Sequence, residues 1–147
     1  MAETPRAETP VAEAPALPPL VAKLTAERGM PLLAEDDAAA LATAGGEWLI
    51  FLPGHGQNHA ETADVAVILP ELLGVFRGRL KAAVAGPALE KLLRRRLDGI
   101  ALPALVAVRG HELLGSVSRV QDWHDYIETI RGLFDGNRIA AGTTAIQ

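Results

Sequence analysis

The sequence contains no cysteine, and this absence excludes several kinds of chemistry. A chain without a thiol cannot form a disulfide, use a thiolate nucleophile, or bind zinc or an iron–sulfur cluster through cysteine. Thiol–disulfide exchange is therefore impossible for this chain, because the reaction requires a thiolate. The absence does not indicate a compartment, since reducing and oxidising compartments both hold cysteine-free proteins.

The sequence is also poor in aromatic residues, in net positive charge and in long apolar runs, and these features limit the kind of protein it can be. Aromatic residues make up only 4% of the chain, so the core must be built from Leu, Val, Ile and Ala. The formal net charge is −4, which argues against nucleic-acid binding because that function requires a basic face. No run reaches the roughly 18 apolar residues of a membrane span, and the opening "MAETPRAETP" has acids and prolines where a secretory leader is apolar. We therefore expect a cytoplasmic protein without a membrane span.

Composition divides the 147 residues into one domain and two tails. Residues 1–17 repeat Ala, Glu, Thr and Pro, and regularly spaced prolines interrupt helix and strand, which predicts a disordered tail. Residues 18–135 carry the apolar periodicity of a folded domain. Residues 136–147 are small and polar, and we expect a flexible C-terminal tail.

Apolar spacing within the domain predicts the element order α, β, α, β, α, β, α, β, β, α. A buried strand is predicted at 47–53, a helix at 64–76 and a hairpin around Gly110 and His111. The last helix should turn an apolar stripe inward, formed by Trp123, Tyr126, Ile127, Ile130, Leu133 and Phe134. This order predicts an α/β fold with a central mixed sheet that helices flank on both faces.

The pattern resembles the thioredoxin fold over residues 30–134. The strand "WLIFLP" leads into a loop and a long helix that contains Pro70, and a final helix follows the hairpin. Pro103 occupies the place of the proline, usually cis, that opens the hairpin in thioredoxin-like proteins. In a redox-active relative two cysteines would lie at the loop–helix junction, which corresponds to His59–Thr62 here, and none of these four residues is a thiol.

A closer resemblance is to the hydrogenase expression/formation family called HyaE, HoxO or HupG. The segments that carry it are "ETADVAVILPELL", "RLKAAVAG" and "LPALVAVRGHELLGSVSRVQDWHDYI". The resemblance implies a thioredoxin-like, non-catalytic chaperone for uptake nickel–iron hydrogenase, without a cofactor. Its implied partner is the small-subunit precursor or its twin-arginine leader before export, and other hydrogenase accessory proteins are further candidates.

The candidate partner site combines acidic side chains and an open main chain. Glu61 and Asp64 place carboxylates at the start of the predicted helix, and Glu71 extends this acidic patch along it. A carboxylate can bind an arginine guanidinium through two parallel hydrogen bonds. Ordinary helix capping is the competing interpretation of the first two, since negative charge is favourable at a helix start. Leu102 and Pro103 would offer backbone for strand addition, as the thioredoxin resemblance implies.

Two alternatives remain open at this stage. His55 and His59, with nearby carboxylates, could bind a metal in a metal-dependent protein, but solvated loop histidines are the favoured interpretation. Their spacing would place them on one helical face, but Pro53 and Gly54 argue against a helix there. The second alternative is a purely structural thioredoxin-like interaction domain.

Overall fold

A computed structural model gives the fold and describes residues 18–55, 60–98, 100–110 and 112–135. The elements follow the predicted order, which is confirmed: α1 Pro19–Ala26, β1 Leu32–Leu33, α2 Asp37–Ala44, β2 Glu47–Leu52, α3 Ala60–Val75, β3 Lys81–Ala85, α4 Pro87–Arg96, β4 Ala104–Arg109, β5 Glu112–Ser118 and α5 Trp123–Asp135. The predicted tails, residues 1–17 and 136–147, lie outside the described residues. His59 and His111 lie outside them as well.

The strands form one five-stranded sheet in the order β1-β3-β2-β4-β5. β3 pairs in parallel with β1 and β2, whereas β4 pairs antiparallel with β2 and β5. β2 and β3 are parallel and are joined through helix α3, whereas β4 and β5 form an antiparallel hairpin, as their connection lengths require. The predicted mixed sheet is therefore confirmed.

Side chains alternate between the two faces of the sheet and build a separate apolar core on each. One core joins strand residues such as Phe51 and Leu105 to helices α1, α3 and α5. The other joins their strand neighbours, such as Leu52 and Val106, to helix α4. Because consecutive strand residues point to opposite faces, an apolar strand such as "LIFL" can supply both cores.

Helix α3 begins at Ala60, four residues before the predicted start. The apolar spacing becomes readable only at Val65, because the first turn carries polar residues. One of these, Thr62, is buried, and its hydroxyl donates to the Pro53 carbonyl at 2.8 Å. This bond fastens the helix start to the end of β2, and it is a tertiary contact that periodicity does not report.

The predicted inward stripe of α5 is correct except at its first member. Tyr126, Ile130, Leu133 and Phe134 are buried, and Ile127 is half-buried. Trp123 is 45% exposed, so its prediction as a core residue is wrong. It is the first residue of the helix, and the apolar stripe thus extends one turn beyond the surface that the helix covers.

Within the ranges that the structure describes, no helix combines the length and the apolar character that crossing a bilayer requires.

Candidate functional site

Most of the predicted site residues lie at one end of the sheet. Leu52 at the end of β2 pairs with Ala104 at the start of β4, and Ala104 pairs with Ser118 at the end of β5. Helix α3 starts beside the same end, because the Thr62 hydroxyl bonds Pro53. Residues distant in sequence therefore meet there.

An ion pair connects the start of α3 to the loop after β5. The guanidinium of Arg119 donates to both carboxylate oxygens of Glu61, from Nη2 at 2.6 Å and from Nε at 3.1 Å. The Val120 N–H donates to the same carboxylate at 2.9 Å. The carboxylate hydrogen bonds raise the pKa of Arg119, so the guanidinium stays charged. We call this contact the Glu61–Arg119 pair.

The main chain of Arg119 is held independently of its side chain. Its N–H donates to the Pro103 carbonyl at 2.6 Å, and its carbonyl accepts the Tyr126 hydroxyl at 2.8 Å. Its φ is +64°, in the left-handed region that residues other than Gly, Asn and Asp rarely adopt. These bonds hold the residue in that conformation and bring Pro103 next to the Glu61–Arg119 pair.

Tyr126 is buried beside this contact, and its pKa responds to the charges of the nearby carboxylates. Burial raises the pKa of Tyr126, and the negative charges of Glu61 and Asp64 raise it further, against an opposing hydrogen bond from Gln121. The hydroxyl is therefore neutral and able to donate to Arg119 at neutral pH. The two sequence blocks behind the family resemblance, "ETADV" and "RV.DW..Y", are in contact through these bonds.

Asp64, Val67 and Glu71 form an exposed stripe on α3, which we call the α3 stripe. Their spacing of three and four residues places them on one helical face. Val67 is 56% exposed, and the carboxylates before and after it are exposed as well. The stripe thus presents acidic, apolar and acidic groups in succession.

Leu102 and Pro103 lie at the start of β4. The Leu102–Pro103 peptide bond is cis, as the thioredoxin resemblance implies. Pro103 is buried, and its carbonyl is already bonded to Arg119. Leu102 is half-buried, and its main chain makes no hydrogen bond to any other described residue.

A buried carboxylate that the sequence analysis did not single out holds the loop after β2. Glu90, on α4, is only 4% exposed. Its two oxygens accept the N–H groups of Gly54 and His55, both at 2.8 Å. Gly54 has φ +92°, a conformation that glycine adopts without strain. The only sequence signal for Glu90 is an acid beside the leucines of an amphipathic helix, which is too common to indicate such a role.

His55 is drawn into the same network. Its Nε2 lies 2.7 Å from the Ala85 carbonyl oxygen, so Nε2 carries the proton and donates. A protonated Nε2 cannot bind a metal, which leaves Nδ1 as the free ring nitrogen. Among the described residues no group of three or more His, Asp or Glu side chains is placed to hold an ion.

Known proteins of one family are similar to this chain in sequence. The family model for hydrogenase-1 expression protein HyaE matches residues 20–126. The hydrogenase expression/formation protein HupG of Rhizobium leguminosarum bv. viciae is 38% identical over 115 residues, covering 76% of this chain and 77% of the relative. HoxO of Azotobacter vinelandii is 38% identical over 118 residues, covering 80% and 79%.

Solved structures extend the likeness to the fold. Mitochondrial thioredoxin 3 of Saccharomyces cerevisiae superposes with a TM-score of 0.57 at 10% identity, covering 71% of this chain and 95% of that protein. At this identity the superposition shows the thioredoxin-like fold alone. The chain shares the fold of that thioredoxin, while its sequence holds no cysteine.

Proposed function

The chain belongs to the hydrogenase expression protein HyaE family, and from that premise we propose that it is a non-catalytic chaperone for the hydrogenase small-subunit precursor. In this proposal it binds the twin-arginine leader of the precursor in the cytoplasm, before export. Its relatives are named hydrogenase expression/formation proteins, which supports a role in hydrogenase maturation.

The α3 stripe is the observation that carries the proposal. A twin-arginine leader is basic and then apolar, and the stripe offers exposed acids on both sides of an exposed valine. Asp64 and Glu71 have no ion-pair partner among the described residues, so their charge is available to a ligand. Such charge complementarity favours association rate and selectivity over raw affinity.

The main chain at Leu102 supplies a second kind of contact. Its backbone groups are unengaged by the described residues, and the segment lies at the same end of the sheet as the start of α3. We propose that an extended part of the leader pairs there, in the manner of strand addition. Pro103 positions this segment, because its carbonyl is fixed by the Arg119 N–H.

Non-covalent binding fits the residues better than the alternative functions do. Redox exchange lacks a thiol, and the His55 ring nitrogen that faces Ala85 is used as a hydrogen-bond donor. A purely structural domain would give no role to the acidic and apolar groups that the α3 stripe exposes.

Calorimetric titration with a synthetic leader peptide tests the proposal. We expect binding that weakens as salt is added, because exposed charges are screened. The double variant Asp64→Asn/Glu71→Gln should lose about three- to tenfold in affinity, at 0.3–0.7 kcal/mol for each exposed pair. The matched control Glu35→Gln/Asp36→Asn removes the same charge from exposed positions before α2 and should bind as the wild type does. Equal affinity in both double variants would exclude the α3 stripe as the binding surface.

A further inference from the structure

The Glu61–Arg119 pair already has the geometry of a carboxylate bound to a partner's arginine. We infer that Glu61 is a guanidinium-binding subsite, that Arg119 occupies it in the free protein, and that an arginine of the bound leader replaces Arg119. The inference rests on the proposed function and specifies both the ligand group and how access to it is regulated.

The contact pattern favours a guanidinium over an ammonium ion as the ligand. Two nitrogens of Arg119 reach two oxygens of Glu61, at 2.6 and 3.1 Å. A planar guanidinium makes this double contact, whereas a lysine ammonium acts as a single point charge. The Val120 N–H also donates to the carboxylate and helps to keep it oriented when the guanidinium changes.

Release of Arg119 requires movement of its side chain only. Its main chain stays fixed by the Pro103 carbonyl and the Tyr126 hydroxyl, neither of which involves the guanidinium. The Arg119 side chain is 55% exposed and that of Glu61 is 30% exposed, so water can solvate the released group. The pair therefore lies at the surface, where an incoming arginine has access.

The position of the pair connects it to the proposed leader surface. Asp64 lies three residues after Glu61 on the same helix, and Leu102 precedes the proline whose carbonyl binds Arg119. A leader whose first arginine lies at Glu61 can place its second beside Asp64. Val67 follows one turn further along the helix, where the apolar part of the leader would begin.

Competition by Arg119 should lower the apparent affinity for the leader. Exposed ion pairs of this kind favour the closed state by a factor of about two to five. The apparent affinity for a ligand equals the affinity of the open state multiplied by the fraction of protein in that state. Removing the Arg119 side chain should therefore strengthen leader binding about three- to sixfold.

Arg119→Asn is the informative variant, because asparagine tolerates the left-handed backbone and is too short to repeat the double contact. Arg77→Asn is the matched control: Arg77 is also exposed, has φ +50°, and makes no ion pair with a described residue. Both variants lose one positive charge. Calorimetry should show stronger leader binding for Arg119→Asn and no such gain for Arg77→Asn. The gain should disappear when Glu61→Gln is added to Arg119→Asn.

Two readouts make the test specific for guanidinium exchange. A leader peptide with lysines in place of both arginines should gain less from Arg119→Asn than the arginine peptide does. In the wild-type protein, the NMR signal of the Arg119 Nε–H should shift to its solvated position as the arginine peptide saturates. This second measurement needs no variant and remains decisive if Arg119→Asn does not fold.

The outcomes separate this inference from the proposed function. A wild type that binds no leader peptide removes both. Leader binding with no gain in Arg119→Asn, an equal gain in Arg77→Asn, or an unchanged Arg119 Nε–H signal at saturation overturns the exchange and leaves the proposed function standing.

Discussion

Glu90→Gln is the substitution whose effect on stability follows most directly from the structure. The carboxylate is 4% exposed and accepts two main-chain N–H groups, from Gly54 and His55, at 2.8 Å each. A glutamine has one acceptor oxygen, so one N–H would face an amide NH₂ group instead. The substitution changes few atoms and thus isolates the hydrogen bonds from packing.

The magnitude comes from the bonds that are lost. A hydrogen bond to a charged group contributes about 1.5–3 kcal/mol, and the remaining bond falls to roughly half its strength when its acceptor becomes neutral. Removing a buried charge recovers part of this loss, because a carboxylate is costly to desolvate. We expect the free energy of unfolding to fall by about 2–3 kcal/mol.

Urea denaturation at neutral pH measures the change. With an m-value of about 1.5–2 kcal/mol/M, the midpoint should fall by about 1–2 M. The control Glu27→Gln alters an exposed carboxylate at the end of α1 and should stay within about 0.5 kcal/mol of the wild type. Hydrogen exchange should show faster exchange at the Gly54 and His55 amides in Glu90→Gln. An unchanged midpoint together with unchanged exchange at these amides would refute the assigned role of Glu90.

Two further predictions concern pH and metal. Hydrogen bonds from Arg79, and then from Arg109, lower the pKa of Glu47 below its ordinary 4.5. The ionised Glu47 therefore stabilises the fold above pH 4.5, and this stabilisation is lost as pH falls through the folded-state pKa. Glu47→Gln should therefore destabilise the protein at neutral pH, and its difference from the wild type should shrink below about pH 4.5; a difference that does not change with pH would contradict this. Titration with zinc or nickel should give no stoichiometric binding, because no group of three or more His, Asp or Glu side chains among the described residues is placed to hold an ion; tight binding that His55→Ala abolishes would instead favour the metal alternative.

The element order was predictable because local periodicity and tertiary burial agree across most of the chain. Strands such as "LIFL" and the amphipathic "PALEKLLRRR" show their burial in their spacing, and the structure places them as predicted. The errors occur where the two disagree. Trp123 continues the apolar stripe of α5 but lies beyond the surface that the helix covers, and the polar first turn of α3 is fixed by the buried Thr62.

The candidate site was only partly predictable, because its geometry depends on pairs distant in sequence. Glu61 and Pro103 were both proposed as binding residues from the sequence, but nothing in the sequence shows that Arg119 contacts both. Fifty-eight positions separate Glu61 from Arg119, and 36 separate Gly54 from Glu90. The binding roles of Asp64 and Glu71 stay predictions until a leader peptide is titrated.

Residue identities and their spacing were enough to show that this chain holds no thiol for redox exchange, that strands alternate with helices, and that the chain resembles one family of hydrogenase accessory proteins. These properties follow from residue identity and from local spacing, which a linear chain displays directly. Which carboxylates are bonded became visible only in the folded chain: Glu61 binds Arg119 and Glu90 accepts two amides, whereas Asp64 and Glu71 lie on the exposed α3 stripe. This is because a carboxylate is bonded or open according to the donors around it, and folding brings those donors from distant parts of the chain.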